Sequence, residues 1–333
     1  MFKKLMQLCL LLPLIVMMSP IYAKTIKIAT ISPDGTLWME EMRSGAEEIK
    51  KKTQGRVEFK FYPGGVMGSD ENVLRKMHIG QLHGGAVTTG SLTGAYPDID
   101  IYSLPYLFSS LEEVDYVRSK MDQFLIDELE KNGFIAFGFG EGGFSYMMSD
   151  SSVYKVEDVR KQKVWVPGGN KVGEAVFSSA EVSPVTLPVS DVLTGLQTGL
   201  VNTIITSPIG AIALQWHTRV KYVIDVPLTY ITAMLVVDKK VFDKLTKEDQ
   251  AIVREVMTAS FKRIDAANRR DNFAAQEALK KQGIEYVSLP KESLDDWYAI
   301  GDKAIKKLQK DGSYSPGAYK KIMEYVNAAK AKH

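Results

Sequence analysis

The feature that most restricts this chain is the regular succession of short strand-like runs and longer helix-like runs from Thr25 onward. Thr25–Thr30 alternates Ile26, Lys27 and Ile28 as a strand does. Pro33-Asp34-Gly35 then turns into a segment whose Trp38, Met42, Ala46 and Ile49 share one helical face. Gly55 ends that segment, and Val57, Phe59 and Phe61 alternate as a second strand before Pro63-Gly64-Gly65. A helix over 70–81 and an apolar strand Ala86–Thr89 repeat the pattern. Ser110 and Glu113 have the spacing of a capping box for a long helix closing at Gly133, with a strand Phe134–Phe139 after it. Such alternation buries helix stripes against strand faces and predicts an α/β fold with a mostly parallel sheet.

A second alternating set follows Gly140–Asp150, which reads as a flexible loop between lobes. It contains strand 163–166, helix 170–179, strand 182–187, helix 190–198, strand 203–206 and helix 208–217, then strands near 221–226 and 231–237. Thr246 and Asp249 open a very long helical stretch towards Gly283, and helices near 291–309 and 315–330 finish the chain. No glycine- or serine-rich tether separates the two sets. The expected division is 24–145 plus about 234–270 as lobe I, and 146–233 plus about 271–333 as lobe II with the C-terminal helices. A cleft between two such lobes is a usual ligand site.

Residues 1–23 stand apart. Lys3 and Lys4 precede an apolar run from Leu5 to Met18, and Ser19-Pro20-Ile21-Tyr22-Ala23 supplies a small residue at the expected cut. Gln7 and Pro13 interrupt the run, which falls short of the ~20 residues a membrane span needs. Cleavage after Ala23 removes Cys9, the one cysteine, and leaves a chain suited to an oxidising compartment, the periplasm. Without Lys3 and Lys4 the chain has 40 basic and 40 acidic residues, which argues against nucleic acid or an anionic membrane as the main partner.

Signals for catalysis or a cofactor are weak. Gly138-Phe139-Gly140-Glu141-Gly142-Gly143 matches the dinucleotide fingerprint, but Phe144-Ser145-Tyr146-Met147-Met148 continues as a β-like run where a helix must open. His78, His83, His217 and His333 have no metal-ligand spacing, and Gly143-Phe144-Ser145 lacks the glycine that completes a nucleophile elbow. No catalytic residue, metal or cofactor is expected.

Five ordered stretches give a more specific reading. Phe61-Tyr62-Pro63-Gly64-Gly65-Val66-Met67-Gly68, Leu104-Pro105-Tyr106-Leu107-Phe108, Glu157-Asp158-Val159 and the following Lys163-Val164-Trp165-Val166-Pro167 are four of them. Asp191–Asn202, with Leu196-Gln197-Thr198-Gly199 at its centre, completes the set. In this order they resemble the substrate-binding proteins of tripartite ATP-independent periplasmic (TRAP) transporters. The resemblance implies a two-lobed periplasmic-binding-protein-like α/β fold with a long backing helix. It further implies capture of a small organic solute and its delivery to the membrane permease subunits, without chemistry. The alternatives are an exported α/β enzyme and a ligand-presenting receptor for a sensor kinase.

The departures concern the ligand. The family has a carboxylate-binding arginine where this chain has Trp165, and a second arginine where it has Ser145. A polar segment of the family becomes Asn202–Pro208, without its acid and with Ser207 before the proline. Trp165, Phe144, Ser145, Tyr146, Ser207 and Trp216 are therefore the expected ligand-binding residues, in a cleft richer in aromatics than usual. Three readings stand: an apolar or aromatic solute on Trp165; a carboxylate bound by Lys171, Arg43 or Arg219 with Trp165 in the core; or an amine between Trp165 and Glu141.

Overall fold

The computed structural model describes residues 23–331. Residues 1–22 of the expected export segment 1–23, and His333, lie outside the described residues.

Strands β1 (Lys24–Thr30), β2 (Val57–Tyr62) and β3 (Gly84–Thr88) enclose helices α1 (Leu37–Lys52) and α2 (Asp70–His78) in sequence. Two short 3-10 turns lead to α3 (Leu111–Lys131), followed by β4 (Phe134–Ala136) and β5 (Gly140–Ser149). Then come α4 (Val156–Val159), β6 (Trp165–Val166), α5 (Lys171–Ser179), β7 (Val185–Thr186), α6 (Val192–Thr198), β8 (Thr203–Thr206) and α7 (Pro208–Ala213). Strands β9 (Tyr222–Ile224) and β10 (Thr229–Asp238) lead through α8 (Lys239–Phe242) into α9 (Lys247–Lys281), and β11 (Glu285–Val287), α10 (Lys291–Lys310) and α11 (Pro316–Lys330) end the chain.

The strands join in one sheet of order β11-β9-β5-β10-β3-β1-β2, with β4 on β10 and β8 on β5, and β6-β7 pair separately. Pairing is parallel among β1, β2 and β3, between β9 and β11, and between β6 and β7, as βαβ alternation requires. It is antiparallel wherever β5 or β10 takes part. These two strands carry the chain from one lobe to the other in opposite directions. Within the segment 140–150, expected to be a flexible loop, Gly140–Ser149 is thus a ten-residue strand of about 33 Å.

Two glycines explain why this strand hides from sequence reading. A Cβ on Gly140 would stand 2.4 Å from the Trp38 ring, and Gly143 has φ +89 with Asn272 2.6 Å from its Cβ position. Register shifts between Ile231 and Thr232 on the partner strand, opposite this bend.

Caps behave as the sequence indicates. Ser110 Oγ accepts from Glu113 N–H, while the Glu113 carboxylate reaches one residue further back, to Ser109 N–H and Oγ. Thr246 Oγ1 accepts from Asp249 N–H and opens α9, which at 35 residues is about 52 Å long. Its Val253, Phe261 and Ile264 pack with Met39, Met42 and Ile49 of α1, and its Leu279 packs with Met148 and Val223 at the far end. One helix therefore backs both lobes. Asp98 accepts from Ser315 N–H and Oγ, both at 2.6 Å, where α11 begins, and α11 lies against α3.

Candidate functional site

Where β5 leaves the first lobe its side chains meet α3 and α9. Glu141 is 1% exposed and accepts from Tyr230 Oη at 2.5 Å and from Arg269 Nε and Nη2 at 3.1 and 2.7 Å. Its backbone N–H donates to Asp265 at 2.7 Å, and its carbonyl accepts from Asn268 Nδ2 at 2.6 Å. Arg118 of α3 lies 3.7 Å from the Glu141 carboxylate, 2.9 Å from Asp265 and 3.0 Å from Asp122. The outer edge of Arg269 holds Asp115 at 2.8 and 2.9 Å.

Burial tends to depress Arg118, but Asp122 and Asp265 outweigh it and hold the guanidinium above its ordinary pKa. Glu141, then Asp115, raises Arg269, and burial followed by the Glu141 charge raises Tyr230. The arginines stay charged and the tyrosine stays protonated throughout the physiological range. The cluster fastens β5 to both helices. The Glu141 carboxylate is already shared by Arg269 and Tyr230, so the amine role considered for it with Trp165 would compete with those partners.

Beside it lies a cavity of about 50 Å3, lined among others by Glu141, Phe144, Tyr146, Arg269, Asn272 and Phe273. This brings together two of the six expected ligand residues, Phe144 and Tyr146. A volume of this size holds a water or two, well short of the few hundred Å3 of an organic-ligand pocket.

The other expected residues are elsewhere. Trp165 is 4% exposed, donates Nε1–H to Leu187 O at 2.9 Å and meets Trp216 edge-on at 5.0 Å between ring centroids. Trp216 is 2% exposed, and both rings pack with Met148, Val192, Ile204 and Leu279. The one donor of Trp165 is thus used and its ring is enclosed. Ser145 is fully buried and shares a 2.8 Å hydrogen bond with Thr229 Oγ1 across the crossing strands. Ser207 caps α7 by accepting from Gly210 N–H at 3.3 Å. Of the substitute cations, Arg43 pairs with Asp34 on the surface, and Lys171 and Arg219 are exposed.

The two lobes also meet at residues that sequence reading did not single out. Glu71 of α2 approaches the turn after β6, its Oε1 standing 3.0 Å from the position of a Cβ on Gly168 and 2.8 Å from that on Gly169. Asp70, one residue earlier, accepts from Thr88 N–H and Oγ1 at the C-terminal end of β3. The only sequence signal for them is Ser69, which marks an N-cap and hence where α2 starts. No group of three or more metal-ligating side chains occurs among the described residues.

Residues 28–311 match the family described as bacterial extracellular solute-binding protein, family 7 (DctP). The chain is 23% identical over 261 residues to the C4-dicarboxylate-binding periplasmic protein DctP of Rhodobacter capsulatus, covering 76% of this chain and 77% of that one. It is 24% identical over 258 residues to the uncharacterized protein YiiZ of Salmonella typhimurium, covering 75% and 77%. Among solved structures, the sugar acid binding protein DctPAm of Advenella mimigardefordensis with galactonate superposes with a TM-score of 0.84 at 19% identity, covering 92% of this chain and 99% of that chain. A TRAP periplasmic solute-binding protein of Xanthobacter autotrophicus with β-D-galacturonate gives 0.82 at 19% identity, covering 91% and 99%. The fold, the two lobes and the sequence match agree: this chain belongs to bacterial extracellular solute-binding protein family 7, the DctP family of TRAP solute-binding proteins, and is a binding protein, not an enzyme.

Proposed function

We propose that the exported chain captures a small organic solute between its two lobes, closes on it about β5 and β10, and presents it to the permease subunits of a TRAP transporter. The approach of Glu71 to Gly168 and Gly169 carries this reading, because it spans the lobes at a point remote from the strands that join them. The related structures hold organic acids: galactonate, galacturonate and, in a Bordetella pertussis receptor, pyroglutamic acid. In this chain a serine and an enclosed tryptophan stand where the resemblance places two arginines, so a carboxylate fork is not what selects its solute. The lobes divide near 145 and 234 on the crossing strands, and α9 serves both.

The test is native mass spectrometry of protein isolated from the periplasm without refolding. A bound small molecule, released unchanged on unfolding, is the expected result; a chemically altered molecule accumulating on incubation would favour the exported-enzyme reading. N-terminal sequencing of the same sample is expected to begin at Lys24.

A further inference from the structure

A second, smaller cavity of about 10 Å3 adjoins β5 and β9. It is lined by Tyr106, Trp297 and apolar side chains that include Met147, Ile224 and Leu228. Four buried side-chain polar atoms have no hydrogen-bond partner among the described residues, and two of them belong to this one lining: Tyr106 Oη and Trp297 Nε1. Buried polar atoms are nearly always paired, and the other lining side chains are hydrocarbon or thioether and offer no partner.

The two residues come from opposite lobes on the division proposed above. Tyr106 precedes α3 and has a left-handed backbone, φ +54, which a non-glycine residue keeps only where its surroundings hold it. Its N–H donates to Leu228 O at 2.8 Å, just before β10. Its ring lies in a slot on α10: a Cβ on Gly301 would stand 2.6 Å from Cδ2, and Tyr298 meets the ring edge-on at 5.0 Å. Helix α10, which carries Trp297, packs on α5 of the second lobe. Tyr106 is therefore a side chain of the first lobe seated in a socket of the second.

The chemistry of the pair decides what fits between them. An indole N–H only donates, so the guest must accept from Trp297. Burial raises the pKa of Tyr106, and its hydroxyl stays protonated, able to donate or to accept. A cation is excluded by the indole donor, and two neutral donors in an apolar wall are too few to replace the hydration of an anion. The volume has room for about one water and for no organic solute.

We infer that this cavity is a site for a single water molecule, which accepts from Trp297 Nε1–H and shares a hydrogen bond with Tyr106 Oη, and so joins the lobes at the seat of Tyr106 in α10. The joining role rests on the proposed division of the lobes and not on solute capture. A water between the two groups lets the joint tilt while both stay hydrogen-bonded.

The first test is a crystal structure of the exported, processed chain that shows ordered water. One water within about 3.2 Å of both Tyr106 Oη and Trp297 Nε1 is the expected result. A dry cavity, or a direct bond between the two atoms, overturns the inference. The second test is Tyr106→Phe, which keeps the ring against Gly301 and Tyr298 and removes only the hydroxyl. Hydrogen exchange at the amides of 104–108 and 294–301 should quicken about two- to tenfold. That of β1 and β2, at the far edge of the sheet, should stay as it was. Unchanged exchange around the cavity, or exchange quickened equally throughout the chain, would overturn the joining role. Should the variant fail to fold, the crystal structure of the unmutated protein decides alone.

Discussion

Glu141 and Met148 lie on the same strand, β5, seven residues apart, and their surroundings are opposite. Around Glu141 two arginines, three aspartates and a tyrosine hydroxyl form a closed set of ion pairs and hydrogen bonds. Around Met148 the partners are Trp165, Trp216, Ile204 and Leu279. The charged end ties the strand to α3 and α9, with partners fixed in number and direction. The apolar end ties the same strand to α9 and α6 by shape. One element thus enters the first lobe through directional bonds and the second through packing, and the position where a ligand-binding arginine is expected belongs to the packing end.

The largest expected effects come from removing the centre of either region. Glu141→Ala leaves Arg118 and Arg269 without their shared carboxylate and should cost ~3–5 kcal/mol in urea unfolding. Trp165→Ala leaves a cavity against Trp216 and should cost ~3–5 kcal/mol as well. The conservative variants sharpen the contrast: Trp165→Phe should recover much of the loss, and Glu141→Gln little of it, because the arginines need charge and not only shape. A cost below ~1 kcal/mol for Trp165→Ala would return this ring to the surface of the cleft.

A smaller effect tests whether a buried carboxyl needs a cation at all. Asp100 is buried with hydroxyl partners only, Thr89 Oγ1 at 2.6 Å and Ser103 Oγ at 2.7 Å, and burial pushes its pKa up to about 6. Between about pH 4 and pH 6 the folded state keeps this proton while the unfolded chain releases it, so stability falls as pH rises through that window. The loss is ~3 kcal/mol. Asp100→Asn should remove this slope, measured as melting temperature between pH 4 and pH 7; an unchanged slope would mean that Asp100 is ionised within the fold.

The smallest effect belongs to the rim of the charged region. Asp115 is 59% exposed, and Asp115→Asn should cost no more than ~1 kcal/mol, shrinking further with salt. A loss as large as that of Glu141→Ala would show that the set acts as one unit out to its surface.

Much of the fold was legible because periodicity and caps act locally. Ser110, Thr246 and Gly133 mark the ends of α3 and the start of α9, and β8 occupies the same four residues, 203–206, that the sequence indicates. The crossing strand β5 was not, because its glycines serve partners distant in sequence, Trp38 and Asn272, and read locally as a loop. The site was less legible still. Phe144 and Tyr146 do reach the cavity, yet the enclosure of Trp165 depends on Trp216 and Leu187, fifty-one and twenty-two residues away.

The most direct test of the whole account is whether the two regions of β5 form a hinge on which the lobes close. Small-angle scattering should compare the exported protein as isolated, carrying its solute, with the same protein after the solute has been removed by unfolding and refolding. The expected result is a larger radius of gyration for the stripped protein, reversed when the released solute is returned. Identical curves in all three states would contradict closure about β5 and β10.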